Sequence, residues 1–122
     1  MSGQNLSDEE YRLIYDYCIL PMMIQMVKRN KEVMQDTDYT IKKLFVNSGE
    51  VLLSIIEKDY VEVRRQVKKL QATVTEIKRN SDGVLYEVRL RGYLTEVALV
   101  RHVVKNEISS RLSRYIGGMF RA

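Results

Sequence analysis

The chain of 122 residues contains no tryptophan and only one cysteine, one histidine and one proline. A lone cysteine allows no intramolecular disulfide, as expected of a protein in a reducing compartment. One cysteine and one histidine also fall short of the about four ligands of a structural zinc site. His102 reads as a helix boundary residue rather than a ligand or base. Cys18 lies in an apolar helical stretch with no catalytic partner near it in sequence, and reads as a buried, inert thiol. Long apolar runs are missing too: the longest, residues 18–24, is broken by Pro21, where a membrane span needs about 20 residues. No basic segment followed by an apolar one opens the chain, so export is not expected. The expected location is cytoplasmic, with no membrane partner. Nucleophile elbows, phosphate-binding glycine loops, paired-acid motifs and dinucleotide fingerprints are absent. The acid groups Asp8/Glu9/Glu10 and Asp36/Asp38 are explained by helix capping. Neither metal nor cofactor is expected, and catalysis is disfavoured.

What is present is ordinary for one folded domain: 45% hydrophobic and 30% charged residues, with 8 tyrosines and 6 methionines. The net charge of +4 is unevenly spread: residues 1–57 carry 6 basic and 9 acidic side chains, residues 58–122 carry 14 and 7. A basic back half is either an anion-binding surface, one of two complementary faces, or a solvated exterior.

Residues 50–92 organise the rest. Leu53, Ile56, Tyr60, Val63, Val67 and Leu70 recur at steps of three and four, one stripe of a long amphipathic helix. Asn80-Ser81-Asp82-Gly83 then forms a turn between two strand-like runs. In the second run Tyr86, Val88 and Leu90 alternate with Glu87, Arg89 and Arg91. In the first, Val74 and Ile77 fall on opposite faces, as a bulge or an early strand end would require.

Upstream, residues 1–6 are expected to fray. Ser7 and Glu10 fit a capping box opening a helix over 7–31. Tyr11, Ile14, Cys18, Met22 and Met26 follow one stripe, and Leu13, Tyr17, Leu20, Ile24 and Val27 widen it, as in a helix covered on more than one side. Pro21 predicts a kink or a restart. A second helix is expected over 39–71, capped within Asp36-Thr37-Asp38; Gly49 lies on its stripe and favours passage through Asn47-Ser48-Gly49 over a break. The hairpin occupies 72–92. A last helix over 95–116 would be capped by Thr95, face inward with Val97, Val100, Val104, Ile108, Leu112 and Tyr115, and stop at Gly117-Gly118 before a tail over 117–122. The expected fold is α+β, mostly α: three helices, the second long, with one β-hairpin between the second and third.

Three patches carry a resemblance: Ile19-Leu20-Pro21-Met22-Met23, Glu57-Lys58-Asp59-Tyr60-Val61-Glu62-Val63-Arg64-Arg65, and the hairpin from Tyr86-Glu87-Val88 to Gly92-Tyr93, with a weaker match at Arg114-Tyr115-Ile116. Together they resemble the YhjD-like family, small uncharacterised proteins of Bacillus and relatives. The resemblance spans most of residues 8–116 and departs at Asn47-Ser48-Gly49 and in the final helix. It implies a similar helical fold with a hairpin in a Gram-positive bacterium or one of its phages. It implies no activity.

Two binding surfaces remain. Arg64, Arg65, Lys68, Lys69, Lys78, Arg79, Arg89 and Arg91, extended by Arg111 and Arg114, form a basic set able to contact phosphates of nucleic acid. No helix-turn-helix or RNA-module signature accompanies it. The heptad-like stripe, the group Met22, Met23, Met26 and Met34, and the apolar tail instead fit a protein-interaction module. An isolated hairpin is marginal unless packed, so a homodimer completing the sheet or helix layer is expected, with Val67, Leu70, Met119 and Phe120 as self-association residues. A regulator binding an unidentified protein partner is the leading expectation.

Overall fold

Helix α1 (Asp8–Gln35) opens on a closed capping box. The Ser7 amide donates to Glu10 Oε1 at 2.9 Å, and the Glu10 amide donates to Ser7 Oγ at 3.1 Å. The computed structural model describes the backbone of residues 6–35 and 42–119, and the side chains of residues 6–30 and 47–119. The expected fraying segment therefore lies outside the described residues except for Leu6, which is buried in the core. Also outside them lie the expected cap at Asp36-Thr37-Asp38, the side chain of Met34, and Phe120.

The helix runs unbroken through Pro21 to Gln35, with no restart. Its buried residues are Ile14, Cys18, Ile19, Leu20, Met23, Ile24 and Val27. At 3.6 residues per turn, the consecutive trio Cys18-Ile19-Leu20 alone sweeps roughly 200°. Such a helix needs cover on several sides, and α1 has it, because α2, the sheet and α3 all join its core cluster.

Helix α2 (Lys42–Leu70) is one-sided and returns along α1. Leu52, Ile56 and Val67 are buried, while Leu53, Tyr60, Val63 and Leu70 pack against them half-exposed. It passes straight through Gly49, where an added methyl would meet nothing within 4 Å. Gln71, at φ 59°, ends it in the left-handed region. The Gln71 amide donates to the Lys68 carbonyl at 3.0 Å and the Ala72 amide to the Val67 carbonyl at 3.4 Å, which is a Schellman close. Lys68 and Lys69 in its last turn suit the negative end of the helix dipole.

A single hairpin was expected next; the chain instead forms a three-stranded antiparallel meander of β1 (Thr73–Asn80), β2 (Gly83–Leu90) and β3 (Tyr93–Val100), in that order. Thr95 caps no helix. It pairs with Val88 inside β3, whose inward side chains Val97 and Leu99 are buried. The cause of the difference is a tight two-residue turn, with Arg91 at φ 52° and Gly92 at φ 81°. Positive φ at both positions matches the right-handed twist of the flanking strands. The first turn has a different device. The Asn80 side chain accepts the Asp82 amide at 2.9 Å, and Gly83 lets the strands close where a Cβ would lie 2.1 Å from the Leu99 carbonyl oxygen. The irregularity expected in β1 is a bulge at Ile77, between Glu76 and Lys78.

Helix α3 (Arg101–Met119) follows β3 directly and continues through Gly117 and Gly118, which were expected to stop it. Only Val104 and Ile108 of this helix are buried. Leu112, Tyr115 and Met119 pack half-buried against the core, and polar contacts complete the attachment. Arg111 bonds Asp16 of α1 at 2.8 Å and Glu107 at 2.7 Å and lies over the Tyr15 ring, while the Tyr115 hydroxyl donates to Asp59 of α2.

Candidate functional site

The eight basic candidates do not converge. Arg64, Arg65 and Lys68 stay together at the end of α2, where with Tyr17, Val61, Val67 and Ala72 they line a shallow groove of about 480 Å³. Arg64 lies 5.6 Å from the Tyr60 ring centroid, and Arg65 is paired with Glu62 at 2.8 Å. Lys69 is exposed beside them. Lys78 and Arg79 sit near the β1–β2 turn, whereas Arg91 occupies the β2–β3 turn at the other end of strands roughly 25 Å long. Arg79 is held by Glu76 through two hydrogen bonds, of 2.8 and 3.2 Å. Arg91 is held by Glu10. Arg89 faces outward from the sheet, paired in register with Thr73 on one side and Leu94 on the other. Arg111 and Arg114 both reach Glu107.

The candidates for self-association divide in a similar way. Val67 is 5% exposed and belongs to the chain's own core. Leu70 is half-buried against that core, and Met119 is half-buried beside Ile55, Asp59 and Tyr115.

Two features escaped the sequence. The first is an open cleft of about 880 Å³ among α1, α2 and the inner face of the sheet, with Tyr17, Tyr60 and Tyr86 around Cys18, Pro21, Met22 and Met26, and Arg29, Glu76 and Arg79 at its polar part. Burial pushes the Tyr86 hydroxyl and the Cys18 thiol each up to about 12, so both are neutral at physiological pH. Cys18 is thus a poor nucleophile. The tyrosines come from three separate elements, and no local spacing could have joined them. Among the described residues, no group of three or more His, Cys, Asp or Glu side chains could hold a metal ion.

The second feature is the outer edge of β3, which pairs with no other strand among the described residues. Tyr93, Leu94, Val100 and Val103 gather a large share of the exposed apolar side chains of the described residues in one short stretch, with Leu94 at 53% and Val100 at 43% exposure. The opposite edge, β1, is charged and bulged. Among the described residues, no helix is long and apolar enough to cross a membrane.

These elements define a small α+β domain in which a central helix lies among a second helix, a β-meander and a lightly attached third helix. The family model described as YhjD protein matches residues 5–120, and the chain belongs to that family. It is similar to the protein named "Uncharacterized protein YhjD" from Bacillus subtilis (strain 168), with 26% identity over 112 residues, covering 92% of this chain and 93% of the relative. No solved structure matches it significantly.

Proposed function

We propose that the chain is a non-enzymatic binding module of the cytoplasm, acting through protein–protein contacts as a self-associating regulator. One observation carries the reading: among the described residues, four of the ten large exposed apolar side chains, Tyr93, Leu94, Val100 and Val103, lie along and beside a sheet edge that no described strand pairs, whereas the cationic candidates are dispersed and three of them, Arg65, Arg79 and Arg91, are paired with carboxylates. An unpaired strand edge carrying exposed apolar side chains is a template for pairing with another chain. Light scattering across a wide concentration range tests the self-association. Purification from a native host, with and without nuclease, tests for a heterologous partner; a stoichiometric protein surviving nuclease supports the reading.

Nucleic-acid binding is the second reading, supported by the groove that keeps Arg64, Arg65 and Lys68 beside Tyr17. It requires an affinity that falls steeply with salt, and its loss when those three residues are reversed in charge.

A further inference from the structure

Hydrogen bonds alternate along each strand of an antiparallel ladder, so in an edge strand only every other residue turns its backbone groups outward. In β3 both ends fix the same phase. The two-residue turn closes on the pair Leu90–Tyr93, and at the far end the Arg101 amide donates to the Asp82 carbonyl at 2.8 Å. Tyr93, Thr95, Val97 and Leu99 therefore bond to β2, while Leu94, Glu96, Ala98 and Val100 face the open edge. The Val100 carbonyl is already engaged, because it starts the hydrogen bonding of α3.

Edge strands are normally guarded by a lysine, a proline or a bulge. β1 has such guards, with the bulge at Ile77 flanked by Glu76, Lys78 and Arg79. β3 has eight residues, YLTEVALV, with no proline, no bulge and Glu96 as its sole charge.

We infer that β3 is where two copies of this chain meet, pairing antiparallel about a two-fold axis through Val97 to join the two sheets into one of six strands. The inference rests on the self-association proposed above and names its surface and register. A second copy suits this edge because the edge is complementary to itself. Opposed residues of an antiparallel pair must share a face, which leaves three compact registers. Centring on Glu96 sets it against its own copy, a like-charge pair directly opposite. Centring on Ala98 drops Leu94 from the ladder. Centring on Val97 sets Glu96 opposite Ala98 and Leu94 opposite Val100, so all four outward residues take part and apolar meets apolar. It also brings the exposed Tyr93 opposite Arg101 at the start of the second copy's α3.

The test combines sedimentation equilibrium of the full chain with amide exchange at a concentration where the dimer dominates. The expected result is a dimer in which the Glu96, Ala98 and Val100 amides are protected. On dilution to monomer these three should exchange rapidly while Thr95, Val97 and Leu99 stay slow. Protection of Leu94, Glu96 and Ala98 without Val100, or of Ala98 and Val100 alone, would overturn the register. A dimer whose edge amides all exchange rapidly would overturn the β3 surface and leave self-association standing. A monomer at every concentration would overturn both. Two variants at the exposed Ala98 give the register a sign. Ala98→Lys sets a cation opposite Glu96 twice per dimer and should tighten association roughly 2- to 30-fold, and Ala98→Glu should weaken it by a similar factor. Equal weakening by both variants would point to centring on Ala98.

Discussion

Glu10 and Arg91, 81 positions apart in sequence, meet through two hydrogen bonds of 2.6 and 2.9 Å from the Arg91 guanidinium to the Glu10 carboxylate. The same carboxylate closes the capping box on Ser7, so one side chain ties the start of α1 to the β2–β3 turn. The Arg91 hydrogen bond, helped by the Ser7 amide, holds the Glu10 carboxyl well below its ordinary value of 4.5, at about 2. A depressed carboxylate contributes its stability above the unfolded pKa and loses it as pH falls through the folded one. Stability should therefore drop between about pH 4.5 and 2, and Glu10→Gln should flatten that limb of the urea midpoint against pH. At neutral pH, Arg91→Ala should lower the urea midpoint only modestly, since the guanidinium is half exposed.

Gly49 sits in the interior of α2 with open space around it. Alanine there should stabilise the domain by roughly 0.5–1 kcal/mol through helix propensity alone. A rise in the urea midpoint with an unchanged slope is the expected observation. Destabilisation would mean that α2 does not pass through this position as a regular helix.

Gln71 holds a left-handed backbone at φ 59° that glycine adopts freely. Gln71→Gly should raise stability by about 1 kcal/mol, and Gln71→Val should lower it by more. Thermal unfolding of the pair checks the Schellman geometry at the α2–β1 junction.

Arg111 joins α1 to α3 while resting on the Tyr15 ring. Val104 and Ile108 are the only fully buried side chains in α3 among the described residues, with Leu112, Tyr115 and Met119 half-buried, so this polar contact adds to a modest apolar docking. Arg111→Ala should cost about 1–3 kcal/mol. Hydrogen exchange should show α3 losing protection well before α1 and α2. Uniform loss across all three helices would show that α3 is not a separable unit.

The parts of this fold that were legible in sequence are those with a single local cause. The stripe from Leu53 to Leu70 has one apolar face, Ser7 and Glu10 satisfy each other within one turn, and the offset of Val74 from Ile77 marks a bulge. β3 was missed because Val97, Val100 and Val104 have helical spacing while Thr95, Val97 and Leu99 alternate as a strand; the two periods share Val97. The Arg91-Gly92 turn lacks the asparagine or aspartate that usually announces it. Gly117-Gly118 read as a helix end, yet the helix reaches Met119. For the basic set, local spacing gave the cations but not the long-range carboxylate partner of Arg91. The tyrosine cleft needs three elements brought together, which no window of sequence contains.

The burial of α1 on several sides has a consequence for the order of assembly. The α1–α2 pair and the β-meander are each built from neighbours in the chain, so each forms with short loop closures and fast local kinetics. Neither is complete alone, since a bare meander has nothing against its inner face. The slow event should be the landing of Val88, Val97 and Leu99 on the side of α1 that α2 leaves uncovered. A substitution such as Ile19→Val should then retard folding, and the same loss of a methylene in the outer turns of α3 should mainly hasten unfolding.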